Sequence, residues 1–142
     1  MPYISDPLAH RVIGFAINIH RTFGPGLYES PYAACFEAEC DAAGLKYERQ
    51  KPIRLSYLGR ELPCVFRIDL VIEGRLLVEL KAVERLTPVH SAQMLTYLKL
   101  TGIPQGLLIN FNVTKLVDGV RSFVNGLSTG TNVEGVEVVQ EE

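Results

Sequence analysis

The chain of 142 residues has few cysteines and no paired set of them. Cys35, Cys40 and Cys64 form neither an even number nor a C-x-x-C pair, so we expect reduced core residues, not a disulfide framework. Cys35 and Cys40 lie five positions apart on a predicted helix, which does not match a common zinc spacing.

Long apolar runs are also missing, and we expect no leader segment. No run approaches the length of a membrane span, and no charged N-terminal segment precedes a long apolar stretch. We therefore expect a cytoplasmic protein without a membrane partner.

An excess of basic charge is the third missing feature. Fourteen Lys and Arg residues stand against 16 Asp and Glu residues, for a net charge of −2. This balance counts against strong nonspecific binding to nucleic acid. A nucleic-acid substrate would have to be bound by a local basic surface or through a metal ion.

The pattern of apolar residues predicts one domain at residues 1–125 with the order α-α-β-β-β-α-β. Helices are expected at about residues 6–23, 29–43 and 88–100, ending at glycines, and a buried strand at 106–111. Such an order implies an α/β fold in which helices flank a central mixed sheet, with the last strand parallel to an earlier one. Residues 121–124 suggest a short further strand. The polar tail at 126–142 should begin as a mobile segment, although V-E-G-V-E-V-V could add an edge strand.

Charged residues interrupt two strand-like runs, VFRIDLVIEG and RLLVELKAVE, where a buried sheet would favour apolar ones. Strict alternation puts Asp69 on one face of the first run, and Glu79 and Lys81 on one face of the second. It puts four apolar residues together on the other face of the first run: Phe66, Ile68, Leu70 and Ile72. Only an odd loop, such as the three residues 73–75, brings the two acids opposite each other.

Two opposed carboxylates on paired strands repel unless a cation lies between them. Mg²⁺ takes oxygen ligands and needs only one or two protein carboxylates together with water and substrate phosphate. Lys81 could hold the attacking water or pair with developing negative charge. The alternative is a solvated sheet face, on which Asp69 and Glu79 have no catalytic role.

Several collinear motifs resemble the GxxExxY family of the PD-(D/E)XK nuclease superfamily. They include G-L-Y-E-S-P-Y at residues 26–32, the hairpin D-L-V-I-E-G-R-L-L-V-E-L-K, H-S-A-Q-M-L-T-Y-L-K-L-T-G and G-L-L-I-N-F-N-V. The resemblance implies a restriction-endonuclease-like core whose hairpin carries the metal ligands Asp69 and Glu79 and the catalytic Lys81. The proline before the aspartate is absent, because Ile68 precedes Asp69.

The resemblance also adds residues from two helices. It implies that Glu29 reaches the metal site, whereas an acid in the first turn of a helix is also explained by the helix dipole. Gln93 and Tyr97 match the Q-x-x-x-Y motif of RecB-like members and share one helix face, although packing of Tyr97 with a solvated Gln93 is the simpler alternative. His90 lies one turn earlier and is expected to be exposed.

The leading hypothesis is a Mg²⁺-dependent nuclease, with Mn²⁺ as a substitute, that acts on DNA or on RNA. Asp69 and Glu79 would bind the metal with the Leu80 carbonyl and Glu29, and Lys81 would orient water. The alternatives are a noncatalytic binding or assembly module that retains the fold, and a small-molecule hydrolase. A homodimer stays open, because a small nuclease domain has limited surface for gripping a duplex.

Overall fold

The computed structural model describes residues 6–126 and the backbone of residues 136–139; the side chains at positions 64 and 65 lie outside this description. The mobile segment predicted after Gly126 therefore falls largely outside the described residues. In chain order the elements are α1 (Pro7–Phe23), α2 (Glu29–Ala43), β1 (Tyr47–Tyr57), β2 (Arg60–Ile72), β3 (Leu76–Lys81), α3 (Pro88–Thr101), β4 (Gln105–Asn110), a 3₁₀ turn (Leu116–Gly119), β5 (Val120–Val124) and β6 (Val136–Val139).

The helix ends follow from local capping signals. The Asp6 carboxylate accepts a hydrogen bond from the Leu8 N–H at 2.7 Å and so caps α1. Gly44 ends α2 in the left-handed region, at a φ of +70°, and Gly102 ends α3 in the same way. All three predicted helices are confirmed to within one residue at each end.

A six-stranded mixed sheet forms the centre of the fold, with the strand order β5-β4-β3-β2-β1-β6. The three consecutive strands β1, β2 and β3 form an antiparallel meander. The crossover through α3 places β4 parallel to β3, as the element order predicts. The suggested strands near the C-terminus are also present, because β5 pairs with β4 and β6 pairs with β1.

Two apolar layers cover the two faces of the sheet. One layer joins α1 and α2 to the sheet and includes Phe36, Leu70, Leu80 and Phe111. The other joins α3 to the opposite face through Met94, Leu98, Ile68, Val71, Leu77 and Leu108. Strand β3 alternates between these layers, so Glu79 lies on the face that α3 covers.

The loop between β2 and β3 has an odd number of residues, the condition for Asp69 and Glu79 to lie opposite each other. Ile72 pairs with Leu76, which leaves Glu73, Gly74 and Arg75 in the loop. The paired register then continues through Leu70 and Val78, where the ladder between the two strands stops.

The predicted face assignment along β2 is wrong in one respect. Leu70 and Ile72 face α1 and α2, but Ile68 packs in the layer under α3 and Phe66 lies beside Tyr97 of that helix. The alternation therefore inverts at Asp69. Strict alternation fails at this step, opposite the left-handed residue Gln50 of β1, and nothing in the apolar pattern signals it.

Strand β1 begins at Tyr47, six residues before Ile53, the first residue of its alternating apolar segment. Its first part is polar and also inverts, because Arg49 pairs with Leu70 of one face and Lys51 with Ile68 of the other. β6 pairs with Arg54–Tyr57, so Pro52 has no partner strand on the outer side of β1 among the residues that the structure describes. Such a position tolerates the missing proline N–H.

Candidate active site

The carboxylates of Asp69 and Glu79 meet where β2 and β3 separate. The Asp69 N–H donates to Glu79 Oε1 at 3.0 Å, and the Leu80 N–H donates to Asp69 Oδ2 at 2.8 Å. Each acid thus accepts a hydrogen bond from the backbone of the opposite strand. The two side chains replace the carbonyl acceptors of the interrupted ladder and are fixed at one point of the sheet.

Glu79 is only 6% exposed to solvent, which is unusual for an acid. Burial, followed by the charge of Asp69, raises the pKa of Glu79 to about 8, although the Asp69 N–H and the Lys81 charge act in the opposite direction. The carboxylate is therefore held in a position that disfavours its own ionisation. A bound cation would remove this penalty.

Lys81 ends β3, two residues after Glu79, and is half-buried. Its charge lowers the pKa of Glu79, so the ammonium acts on the same carboxylate pair. The Lys81 carbonyl accepts a hydrogen bond from the Phe111 N–H at 2.9 Å, which keeps the end of β3 against β4.

Asn110 is a second support for this end of β3, and the sequence did not single it out. Its side chain is buried, and its amide makes two hydrogen bonds with the Val83 backbone. The Val83 N–H donates to Oδ1 at 3.1 Å, and Nδ2 donates to the Val83 carbonyl at 2.9 Å. A polar residue inside an apolar run, between Ile109 and Phe111, is the signal that could have identified it. The amide clamps the chain two residues beyond Lys81.

Replacing Gly119 with alanine should destabilise this part of the molecule. A Cβ at position 119 would lie 2.1 Å from the Asn110 backbone oxygen, so β4 or the 3₁₀ turn must shift. We expect the free energy of unfolding to fall by about 1–3 kcal/mol in urea denaturation. Gly14→Ala is the matched control, because nothing lies within 4 Å of that position in α1, and it should stabilise the protein by roughly 0.5–1 kcal/mol. An unchanged denaturation midpoint in Gly119→Ala would contradict the close approach.

A cleft of about 420 Å³ opens beside Asp69 on the α2 side of the sheet. Glu29 lines it from the first turn of α2, and Gln50, Asp69 and Leu80 line it from the sheet. The Glu29 side chain is exposed and shares the cleft with Asp69. Within the part of the chain that the structure describes, no three His, Cys, Asp or Glu side chains are grouped closely enough to hold a metal ion.

Tyr97 approaches the carboxylate pair from the opposite face of the sheet. It is 6% exposed, and its pKa is raised by burial and by the charges of Glu79 and Asp69. Its ring lies 6.3 Å from that of Phe66, measured between centroids. Gln93 lies one turn earlier on α3 and is exposed. Tyr97 is therefore a packed residue that also lies close enough to Asp69 and Glu79 for their charges to raise its pKa.

The other residues of interest have structural contacts. His90 Nδ1 accepts from the Thr87 N–H at 3.0 Å and so belongs to the capping box of α3. His20 Nε2 lies 2.8 Å from the Val113 carbonyl oxygen. The Tyr32 hydroxyl donates to the Gly24 carbonyl, and its ring stacks on Phe111 at 4.0 Å.

Gln50 is a site residue that the sequence did not indicate. It lies in β1 opposite Asp69, has a φ of +48°, and its Nε2 donates to Asp69 Oδ1 at 3.4 Å. The polar run around it carries no periodic signal. Its position becomes visible only when β1 and β2 are paired.

The carboxylate pair fits a hard divalent cation. Each carboxylate has two oxygens, and the crossed backbone hydrogen bonds use one oxygen of each. Two such groups, with water and substrate phosphate, supply the oxygen donors that Mg²⁺ prefers. Burial and the Asp69 charge raise the pKa of Glu79, and a bound Mg²⁺ or Mn²⁺ would favour its charged form.

The family comparison agrees with the architecture. A family model described as the PD-(D/E)XK nuclease superfamily matches residues 6–123. No curated protein and no solved structure gives a significant match. The matched segment runs from the cap of α1 into β5, and its three helices and mixed sheet are consistent with a restriction-endonuclease-like core. Nucleases of this superfamily typically use divalent metals.

Proposed function

The chain belongs to the PD-(D/E)XK nuclease superfamily, and on that premise we propose that it is a Mg²⁺-dependent nuclease that hydrolyses phosphodiester bonds. The observation that carries the proposal is the crossed pair of Asp69 and Glu79, two acids fixed at one break in the sheet with a lysine beside them. DNA is the favoured substrate, and RNA is the second. No helix among the described residues is long and apolar enough to span a membrane.

In this proposal Asp69 and Glu79 would hold the metal with the Leu80 carbonyl. Glu29, which lines the same cleft as Asp69 without joining the carboxylate pair, would supply a further oxygen donor when the metal binds. When bound, Mg²⁺ would activate a water molecule and stabilise negative charge on the phosphodiester. Lys81 orients the attacking water and places its charge against the phosphate oxygens. Glu29 lines the cleft on the α2 side of the sheet, and Tyr97 with Gln93 would approach the carboxylate pair from the α3 side.

Cleavage assays test the proposal directly. Purified protein is expected to cut at least one of four substrates, namely supercoiled DNA, linear duplex DNA, single-stranded DNA and RNA, in the presence of Mg²⁺ or Mn²⁺. EDTA should abolish cleavage. Absence of cleavage on all four substrates with both metals would contradict a nuclease function.

Asp69→Asn should weaken Mn²⁺ binding at least about tenfold, because it removes a charged ligand. Its metal-free stability should equal or exceed that of the wild type, since a like charge beside the buried Glu79 is removed. Isothermal titration with Mn²⁺ and thermal denaturation in EDTA measure the two effects. Asp118→Asn, which removes an exposed acid in the 3₁₀ turn, is the matched control and should bind Mn²⁺ like the wild type.

One observation favours a second candidate, a noncatalytic binding module. Two acids, not three, meet at the described site, so the metal affinity depends on few protein ligands. If the wild type shows no Mn²⁺ binding, the module is favoured over the nuclease. A homodimer and a cytoplasmic location stay predictions.

A further inference from the structure

Gln50 has an unusual backbone conformation for a residue in a strand. Among the described residues, three other than glycine have a positive φ: Gln50 at +48°, Leu58 at +51° and Glu73 at +54°. Leu58 and Glu73 lie in hairpin turns, each directly before a glycine, where left-handed backbone is common. Gln50 lies inside β1, where a left-handed residue requires a separate explanation.

The surrounding register shows what this conformation does. Arg49 pairs with Leu70 and Lys51 pairs with Ile68, but the intervening residues Gln50 and Asp69 are not paired in the ladder. The faces of both strands invert at this step, because Leu70 and Ile68 belong to opposite layers. The left-handed backbone of Gln50 therefore lies at the point where both strands change faces and where Asp69 lines the cleft.

The side chain of Gln50 completes the arrangement. Its amide Nε2 lies 3.4 Å from Asp69 Oδ1, while the Leu80 N–H holds Oδ2 at 2.8 Å. Both oxygens of Asp69 are thus oriented by neutral donors from the two neighbouring strands. A neutral donor orients a carboxylate without competing with a cation for it. A lysine or arginine at the same place would compete with the cation.

Gln50 itself is exposed, so burial of its side chain does not account for the strained backbone. Unfavourable backbone conformations persist where the surrounding structure requires them, and they cluster at functional sites. Gln50 lines the cleft of the proposed site together with Asp69 and Glu29.

We propose that Gln50 is a positioning residue of the metal centre, which orients the Asp69 carboxylate toward a divalent cation from a left-handed step in β1. The inference rests on the proposed function, since it requires a cation at Asp69. Gln50 does not enter the reaction. It sets the geometry of the ligand and thereby the affinity for the metal.

Mn²⁺ binding to Gln50→Gly and Gln50→Met tests the proposal without substrate. Glycine accepts the left-handed backbone but lacks the amide, and methionine keeps a similar length without a donor. Both variants should bind Mn²⁺ about tenfold more weakly than the wild type in isothermal titration, the lower end of the effect expected for a residue that supports a ligand. The electron paramagnetic resonance spectrum of bound Mn²⁺ should also change.

Leu58→Gly is the matched control, because it relieves the same kind of backbone strain at an exposed turn of the β1–β2 hairpin. It should bind Mn²⁺ with wild-type affinity. Thermal denaturation of all variants in EDTA shows whether they fold. If Gln50→Gly does not fold, the Mn²⁺ affinity of Gln50→Met tests the proposal.

The outcomes separate the two proposals. If the wild type binds no Mn²⁺, the metal-dependent function fails and the role of Gln50 falls with it. If the wild type binds Mn²⁺ and a folded Gln50→Met binds it within twofold of the same affinity, positioning by Gln50 is overturned while the nuclease proposal stands. A comparable loss of affinity in Leu58→Gly would also overturn it, because the effect would then arise from the hairpin as a whole.

Discussion

Lys81→Ala is expected to lower the rate of metal-dependent cleavage by about 10²–10³-fold, the cost of removing one group that stabilises charge in a transition state. The Lys81 charge acts on the same carboxylate pair that would hold the metal, as its effect on the pKa of Glu79 indicates. The alanine variant should still fold, since Lys81 is half-buried and ends its strand. Single-turnover cleavage at saturating Mg²⁺ measures the loss.

The control for this variant is Lys115→Ala, which removes an exposed lysine beside the 3₁₀ turn and should keep wild-type cleavage. Mn²⁺ titration of Lys81→Ala separates loss of chemistry from loss of metal. Wild-type cleavage by Lys81→Ala would show that the catalytic group lies elsewhere. A rate loss that high Mg²⁺ fully restores would assign Lys81 to metal binding instead.

The pH dependence of stability gives the second large effect. Burial and the neighbouring Asp69 raise the pKa of Glu79 in the folded protein from 4.5 to about 8. Between these two values the folded state binds a proton that the unfolded state has released. The free energy of unfolding of the metal-free protein should therefore fall as pH rises from about 4.5 to 8, by an amount on the order of a few kcal/mol.

Glu79→Gln should remove this decline and make the metal-free protein more stable than the wild type at pH 8. Glutamine keeps an acceptor for the Asp69 N–H but carries no charge. Urea denaturation in EDTA at a series of pH values between 4.5 and 8.5 measures the effect. Glu61→Gln, which removes an exposed acid near the start of β2, should retain the wild-type decline.

A wild-type stability that stays constant or rises between pH 4.5 and 8 would contradict the raised pKa of Glu79. The same holds if Glu79→Gln shows the wild-type slope. With Mn²⁺ present, the wild type should recover stability at pH 8, because the cation favours the charged form of both acids. The free energy of unfolding of Glu79→Gln should increase much less on addition of Mn²⁺.

Local patterns along the chain were sufficient for most of the secondary structure. Asp6, Gly44 and Gly102 are caps whose effect depends on neighbours within four residues, and the helix bounds follow from them. The odd loop at residues 73–75 is confirmed for the same reason, since a hairpin is a local structure, and the pairing follows its register as far as Leu70 and Val78.

The arrangement around Asp69 was less predictable. Strict alternation placed Ile68 and Leu70 on one face, whereas the structure places them in opposite layers. The left-handed Gln50 and the clamp made by Asn110 have no periodic signature. Each depends on the pairing of strands that are distant along the chain.

By itself, the sequence determined the order of elements, the helix ends and the presence of two acids and a lysine on one hairpin, because these follow from period, caps and loop length. Only the tertiary structure decided how those groups meet. The desolvation of Glu79, the crossed hydrogen bonds to Asp69 and the approach of Tyr97 arise when α3 covers one face of the sheet and β2 turns over at Asp69. Burial and electrostatic coupling depend on distances between remote segments, which a one-dimensional pattern does not contain.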